Sequence, residues 1–315
     1  TDTLTFTTGN WDTPQTVTVT GVDDSIDDGD ITTTLTATAN NAGGYAGSES
    51  ASTTVKNRDN EVSGITIVQT GTSDGAGNLL TTEAGGSSTF TVVLDAAPTA
   101  NVTVSLSGND ATEGSLSTDT LTFTTGNWNI AQAVTVTGVN DIIVDGDITT
   151  TLTATASNTG GYAGTESDTT TVKNTDNEVS GITIAQTGTN DGSGNLLTTE
   201  AGGSSTFTVV LDAEPTANVT VSLSGNDATE GSLSTDTLTF TTGNWFKTQT
   251  VTVTGVNDSI VDGDITTTLT ATASNTGGYA GTESASTTVK NRDNETSGIT
   301  VAQTGTNDGS GNLLT

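Results

Sequence analysis

Carboxylates are the one abundant ionisable chemistry in this sequence. There are 37 Asp and Glu against six Lys and Arg, and His and Cys are absent. Without His or Cys, neither the common nucleophile–base pairs nor nitrogen- and sulfur-ligated zinc or copper sites can be built. Carboxylates in number can hold a hard cation instead. Ca²⁺ takes roughly six to eight oxygen ligands at about 2.3–2.6 Å, in a loose geometry that loops can satisfy. The acids also recur in fixed places. Glu83 returns as Glu200, and Asp110 with Glu113 returns as Asp227 with Glu230. An acidic loop at 140–147 carries Asp141, Asp145 and Asp147, and its copy at 257–264 carries Asp258, Asp262 and Asp264. The copy at 23–30 is richer, with Asp23, Asp24, Asp27, Asp28 and Asp30. A short tail carries Asp59, Asp176 and Asp293, each followed by Asn-Glu.

These places recur because the chain repeats every 117 residues. Trp11, Trp128 and Trp245 sit in near-copies of Thr-Gly-Asn-Trp, and residues 63–179 differ from 180–296 at 13 positions. A period of this length holds a whole domain, so the expectation is an array of domains and not a solenoid of short units. Residues 63–179 and 180–296 read as complete repeats. Residues 1–62 read as the C-terminal part of one, and 297–315 as the N-terminal strand of another. The sequence is therefore expected to be a window cut from a longer array. Catalysis needs one active site, whereas many near-identical copies supply length or many equal weak sites.

Charge narrows the partners. The net charge is −31, spread as −12 over 63–179 and −10 over 180–296. That argues against nucleic acid and anionic membrane surfaces, both of which call for basic residues. No apolar run approaches the length of a membrane span. No disulfide can form, so each domain must be held by its own core or by a metal.

Within 63–179, short runs with period-two alternation fall at 64–69, 88–94, 101–106, 120–124, 133–139, 148–156 and 169–173. Seven such runs separated by Gly, Asn and Asp turns predict an all-β, seven-stranded antiparallel β-sandwich, immunoglobulin-like in kind. The density of Thr, Gly and Asn disfavours helix. In Thr-Leu-Thr-Phe and Val-Thr-Val-Thr, Leu121, Phe123, Val134 and Val136 should face the core, and Thr120, Thr122, Thr135 and Thr137 the solvent. If successive strands alternate in direction, the four acidic segments gather at one end of the sandwich. Like charges gathered in this way repel unless a cation sits among them. Turn formation by Asp and Gly is the plainer account of any single pair, but four converging segments in every copy favour calcium. The junction to the next repeat would then stiffen.

The Glu before the second run, the Asp-Asp-x-x-x-Asp pattern of the acidic loop and the acidic tail resemble the Calx-β family, seven-stranded sandwiches that recur in large bacterial surface proteins. The resemblance implies calcium held by Glu83 and Glu200, by Asp23, Asp24 and Asp28, by Asp141 with Asp145, by Asp258 with Asp262, and by the tail residues Asp59, Asp176 and Asp293. Asn140 and Asn257 stand where the family has an acid, which implies fewer or weaker ions there.

Other features read more simply. Asp191-Gly-Ser-Gly-Asn195 and its copies at 74–78 and 308–312 resemble half of a glycine-rich calcium loop, but a tight turn accounts for them. Trp128 and Tyr162 are expected as hydrophobic plugs or junction contacts, with sugar stacking the lesser reading. Asn101-Val-Thr and Asn218-Val-Thr match a glycan acceptor pattern at strand starts. Rows of Thr on strands are explained by strand preference and need no ice-binding face.

Together these readings predict a non-enzymatic, secreted structural protein at the cell surface. Its calcium-stiffened repeats would form the stalk or fibre of a bacterial adhesin. The alternatives are a self-assembling subunit of a matrix filament or surface layer, and a multivalent array of weak glycan-binding sites. Its expected partners are neighbouring repeats of the same chain, or copies of itself in a filament, with neither nucleic acid nor membrane insertion.

Overall fold

The computed structural model describes residues 2–313, and all regular structure among them is β-strand. The chain forms two compact units, Thr1–Asn140 with Asp147–Thr175, and Asp141–Gly146 with Asp176–Thr315.

In the second unit, a four-stranded sheet runs in the order Ile182–Gln186, Ser204–Leu211, Gln249–Gly255, Gly231–Leu233. A five-stranded sheet runs Asn195–Thr199, Ser284–Arg292, Ile265–Ala273, Val219–Ser224, Thr237–Phe240. Period-two alternation puts one apolar face of each sheet inward. Phe207, Val209, Leu211, Val221, Phe240, Val251, Val253 and Leu269 form one core with no more than 2 % exposure each. Burying each such side chain contributes roughly 1.5–3 kcal/mol. The first unit holds the same two sheets built from Ile65–Gln69 through Ser167–Thr175, with Phe90, Phe123 and Leu152 at its centre. It also contains the hairpin Ile31–Thr38 with Ser50–Asn57 from the preceding copy. This is the expected all-β sandwich.

The predicted facing holds. Leu121, Phe123, Val134 and Val136 are buried, while Thr120 and Thr122 are exposed and Thr135 and Thr137 partly so. The structure adds strands that alternation did not reveal. Leu79–Thr82 is a four-residue strand pairing in parallel with Ser167–Thr175. The first strand thus starts in one sheet and switches to the other through the loop at 70–78. In the second unit the same switch uses Gly192 and Gly194, both at positive φ, where a side chain would be strained. Gly114–Leu116 and Ile143–Val144 are also strands, too short at three and two residues to show a period.

Candidate metal centre

The 180–296 repeat shows how the acids converge. Glu200, Asp293 and Glu295 form one group and Glu230, Asp258 and Asp262 another. In each, one carboxylate oxygen per residue lies within 4.8 Å of the others.

Backbone pairing sets the first group. Glu200 follows Asn195–Thr199, and its amide extends the parallel ladder by donating to Arg292 O at 3.2 Å. This places its side chain inside the fold at 3 % exposure. Its Oε2 accepts the amide and the Nδ2 of Asn294, each at 3.3 Å. Asp293 is pinned by two backbone donors, Gly263 N at 2.7 Å on Oδ2 and Glu295 N at 2.7 Å on Oδ1. These bonds hold its pKa below the usual range. The tail Asp therefore ties the acidic loop to the end of the last strand. Glu295 Oε2 is buried with no hydrogen-bond donor to accept from. Its pKa is pushed up to about 7, first by the facing Glu200 carboxylate, then by burial and Asp293. The shift has a plain cause: three carboxylates face one another here, and like charges at this range disfavour the ionised form.

In the second group Glu230 is buried at 6 % exposure, and burial raises its pKa, with the charges of Asp262, Asp227 and Asp258 adding to the effect. Its Oε2 accepts Asn291 Nδ2 at 3.2 Å. Burial also raises the pKa of Asp262, followed by the charges of Asp258, Asp293 and Glu200. Asp258 Oδ1 accepts Ile260 N at 2.6 Å and so shapes its own loop.

The corresponding residues elsewhere keep this local geometry. In the first unit Glu83 and Glu113 are buried, and Asn174 Nδ2 donates to Glu113 Oε2 at 3.2 Å. In the second unit Asp141 Oδ1 accepts Ile143 N, and Asp176 Oδ2 accepts Gly146 N, both at 2.7 Å; Asp145 sits in the same short segment. In the earliest copy Asp23, Asp24, Asp28 and Asp59 line a cavity of about 50 Å³ together with Asn57 and Glu61.

Five expected ligands stand apart from the carboxylate groups. Asp30, Asp147 and Asp264 are ion-paired with Lys56, Lys173 and Lys290, the last two at 2.6 and 2.8 Å. The Lys290 ammonium holds Asp264 below the usual carboxylate range. Asp110 and Asp227 shape turns: each Oδ1 accepts the amide and hydroxyl of the Thr two residues on, Thr112 or Thr229, at 3.0 and 2.6 Å. Each turn delivers the buried Glu that follows.

Glu295, with its counterparts Glu178 and Glu61, is a ligand candidate the sequence reading passed over. The repeated Asp-Asn-Glu was its signal, since the Asp-x-Glu spacing lets both acids face one point when the Asp takes the Glu amide. The glycine-rich loop at 191–195 is a self-contained turn, with Asp191 accepting from Ser193 N, Asn195 N and Asn195 Nδ2. Tyr162 and Tyr279 are core plugs. Tyr279 is 2 % exposed, and its hydroxyl donates to Ala213 O at 2.9 Å. Neither ring is on the surface for a sugar, and Trp128 and Trp245 pack against the same cores.

The donor set is oxygen alone, drawn from loops that can adjust, and it holds a buried acceptor lacking a donor. That set fits Ca²⁺. The fold and this site define tandem β-sandwich repeats with an acidic, oxygen-only centre in the 180–296 repeat.

No protein-family model matches the sequence, and no curated protein matches it significantly. Solved structures similar to the chain include the CBD12 fragment of CALX1.2, at 13% identity over 66% of this chain and 79% of that one, with a TM-score of 0.25. Cadherin domains 1–4 of protocadherin gamma B7 match at 14% identity over 84% and 58%, with a TM-score of 0.33. The D00–D0 domain of intimin matches at 12% identity over 72% and 100%, with a TM-score of 0.25. Among the described residues no helix is long and apolar enough to cross a membrane.

Proposed function

We propose that this protein is a non-enzymatic extracellular structural array, with calcium-stiffened repeats that serve as the stalk or fibre of a bacterial surface adhesin. The observation that carries this reading is the pair of carboxylate groups in one repeat, within which Glu295 Oε2 is buried without a donor. Calcium bound there would neutralise the crowded acids and tie three separate segments together: the Glu after Asn195–Thr199, the acidic loop, and the tail beyond Ser284–Arg292. Binding restricted to the folded state stabilises it by mass action. Acid-rich repeats would stay loosely folded where calcium is scarce and close after export into millimolar calcium.

Calorimetric titration of the full chain with calcium tests this, with melting followed in parallel. Micromolar or tighter binding of several ions, with a melting temperature raised by more than about 10 °C, is expected. A chelated sample that melts at the same temperature as a calcium-loaded one would defeat the proposal.

A further inference from the structure

We infer that the Ile-Val dipeptide of the acidic loop is a clasp, and that the Ile260–Val261 dipeptide docks on a further copy of the repeat. The inference goes beyond calcium binding and rests on an unequal fate of equivalent residues. Val144 is 8% exposed, whereas its counterpart Val261 is 53% exposed and Ile260 is 60% exposed. The sequences around them are nearly the same, so burial is decided by what each meets.

Val144 meets residues far along the chain. The segment Asp141–Gly146 belongs to the same compact unit as Asp176–Thr315. Ile143–Val144 pairs in parallel with Glu214–Pro215, and Glu214 N donates to Ile142 O at 3.0 Å. Pro215 offers no N–H, so that amide is the donor this short pairing uses, and both Val144 and Pro215 are buried. Opposite, the turn at Gly277–Gly278 closes over the loop. A Cβ on Gly278 would fall 1.9 Å from Val144 O, and Gly278 has φ +88°. Only glycine lets the two backbones approach in this way.

The same arrangement recurs in the first unit. Ala97 N donates to Ser25 O at 2.7 Å, Ile26 bridges Ala97 in parallel, and Gly161 lies beside Asp27 O. Two observed clasps of one design, on sockets built from the same Pro and Gly-Gly positions, identify the occupant that Ile260–Val261 lacks: another copy of this repeat. Asp27 stands in the first clasp where Val144 stands in the second, and its Oδ2 takes Ser63 N at 2.7 Å. The apolar plug is therefore one of two ways to seat the loop.

Backbone hydrogen exchange tests the clasp, run in parallel in saturating calcium and in chelator so that calcium-driven folding and the clasp are read separately. In the full chain, the Glu214 amide should exchange about tenfold more slowly than in a Val144→Ser variant, the factor that one such hydrogen bond sets. A Val144→Asp variant, which copies the residue natural at position 27, guards against simple misfolding. When the chain is lengthened by one complete further repeat, amides 259–262 should slow by about tenfold. Unchanged exchange of Glu214 in Val144→Ser, or of 259–262 in the lengthened chain, overturns the inference. Absence of calcium binding would defeat the stalk reading of the acids and leave the clasp standing.

Discussion

Asn291 Nδ2 donates to Glu230 Oε2 at 3.2 Å, with both residues buried. The same amide nitrogen donates to Val256 O at 3.2 Å, and its Oδ1 accepts Thr198 Oγ1 at 3.0 Å. One side chain near the end of the last strand thus aims an acid into the centre and ties down the entry to the acidic loop. Asn174 repeats the arrangement with Glu113 and Thr81. Replacing Asn291 by Ala would strand the buried partners and should cost about 1–3 kcal/mol, read by chemical denaturation. Calcium affinity should fall with it, because Glu230 loses its orientation.

The pH dependence has a definite sign. The pKa of Glu295 is about 7 in the fold, above its ordinary 4.5. Between those values the folded state holds the extra proton, so stability falls as pH rises through 7 and is fully restored below 4.5. Asp264 and Asp227 are lowered from 3.8 and act only in more acid solution. Chelated protein should therefore melt at a higher temperature at pH 5.5 than at pH 7.5. Saturating calcium should remove or reverse that order. A chelated sample that melts higher at pH 7.5 would contradict this account.

Gly255 admits no side chain. A Cβ there would sit 2.2 Å from Thr199 O and 2.5 Å from Asn291 Oδ1. Gly255→Ala should destabilise by more than about 2 kcal/mol, since backbone must shift, and circular dichroism melts would show it. Gly126, near which only Thr124 Oγ1 falls, at 3.9 Å, should accept Ala far more cheaply.

Tyr279→Phe removes the hydroxyl that donates to Ala213 O while keeping the ring in the core. The expected loss is about 0.5–1.5 kcal/mol. Loss of the ring in Tyr279→Ala should cost about 3–5 kcal/mol, in the range of a buried aromatic. Parallel urea titrations separate the two.

Lys290→Gln breaks a partly exposed ion pair with Asp264. Such pairs contribute at most about 1 kcal/mol, so denaturation should shift little. The freed Asp264 adds negative charge beside the centre, and calcium binding at low ionic strength should tighten by a few-fold.

Much of this molecule was legible in the sequence because its determinants are local. Period-two alternation in Thr-Leu-Thr-Phe placed Leu121 and Phe123 inside without reference to any partner strand. The absence of His and Cys restricted any centre to oxygen ligands. What alternation could not show was pairing. Leu79–Thr82 has too few residues to carry a pattern, and its parallel partner lies some 90 residues away. The acids divide for the same reason. Asp264 and Asp262 are two residues apart and chemically identical, yet one lies beside Lys290 and the other faces Asp258 and Asp293. Which acid is neutralised and which is left in the cluster depends on cross-strand register, for instance Ile265 opposite Asn291, which brings Lys290 to Asp264. The burial of Val144 against the exposure of Val261 is the extreme case. The two loops differ only in Ile142 against Ser259, and Val144 is buried beside Pro215 and Gly278 while Val261 is exposed.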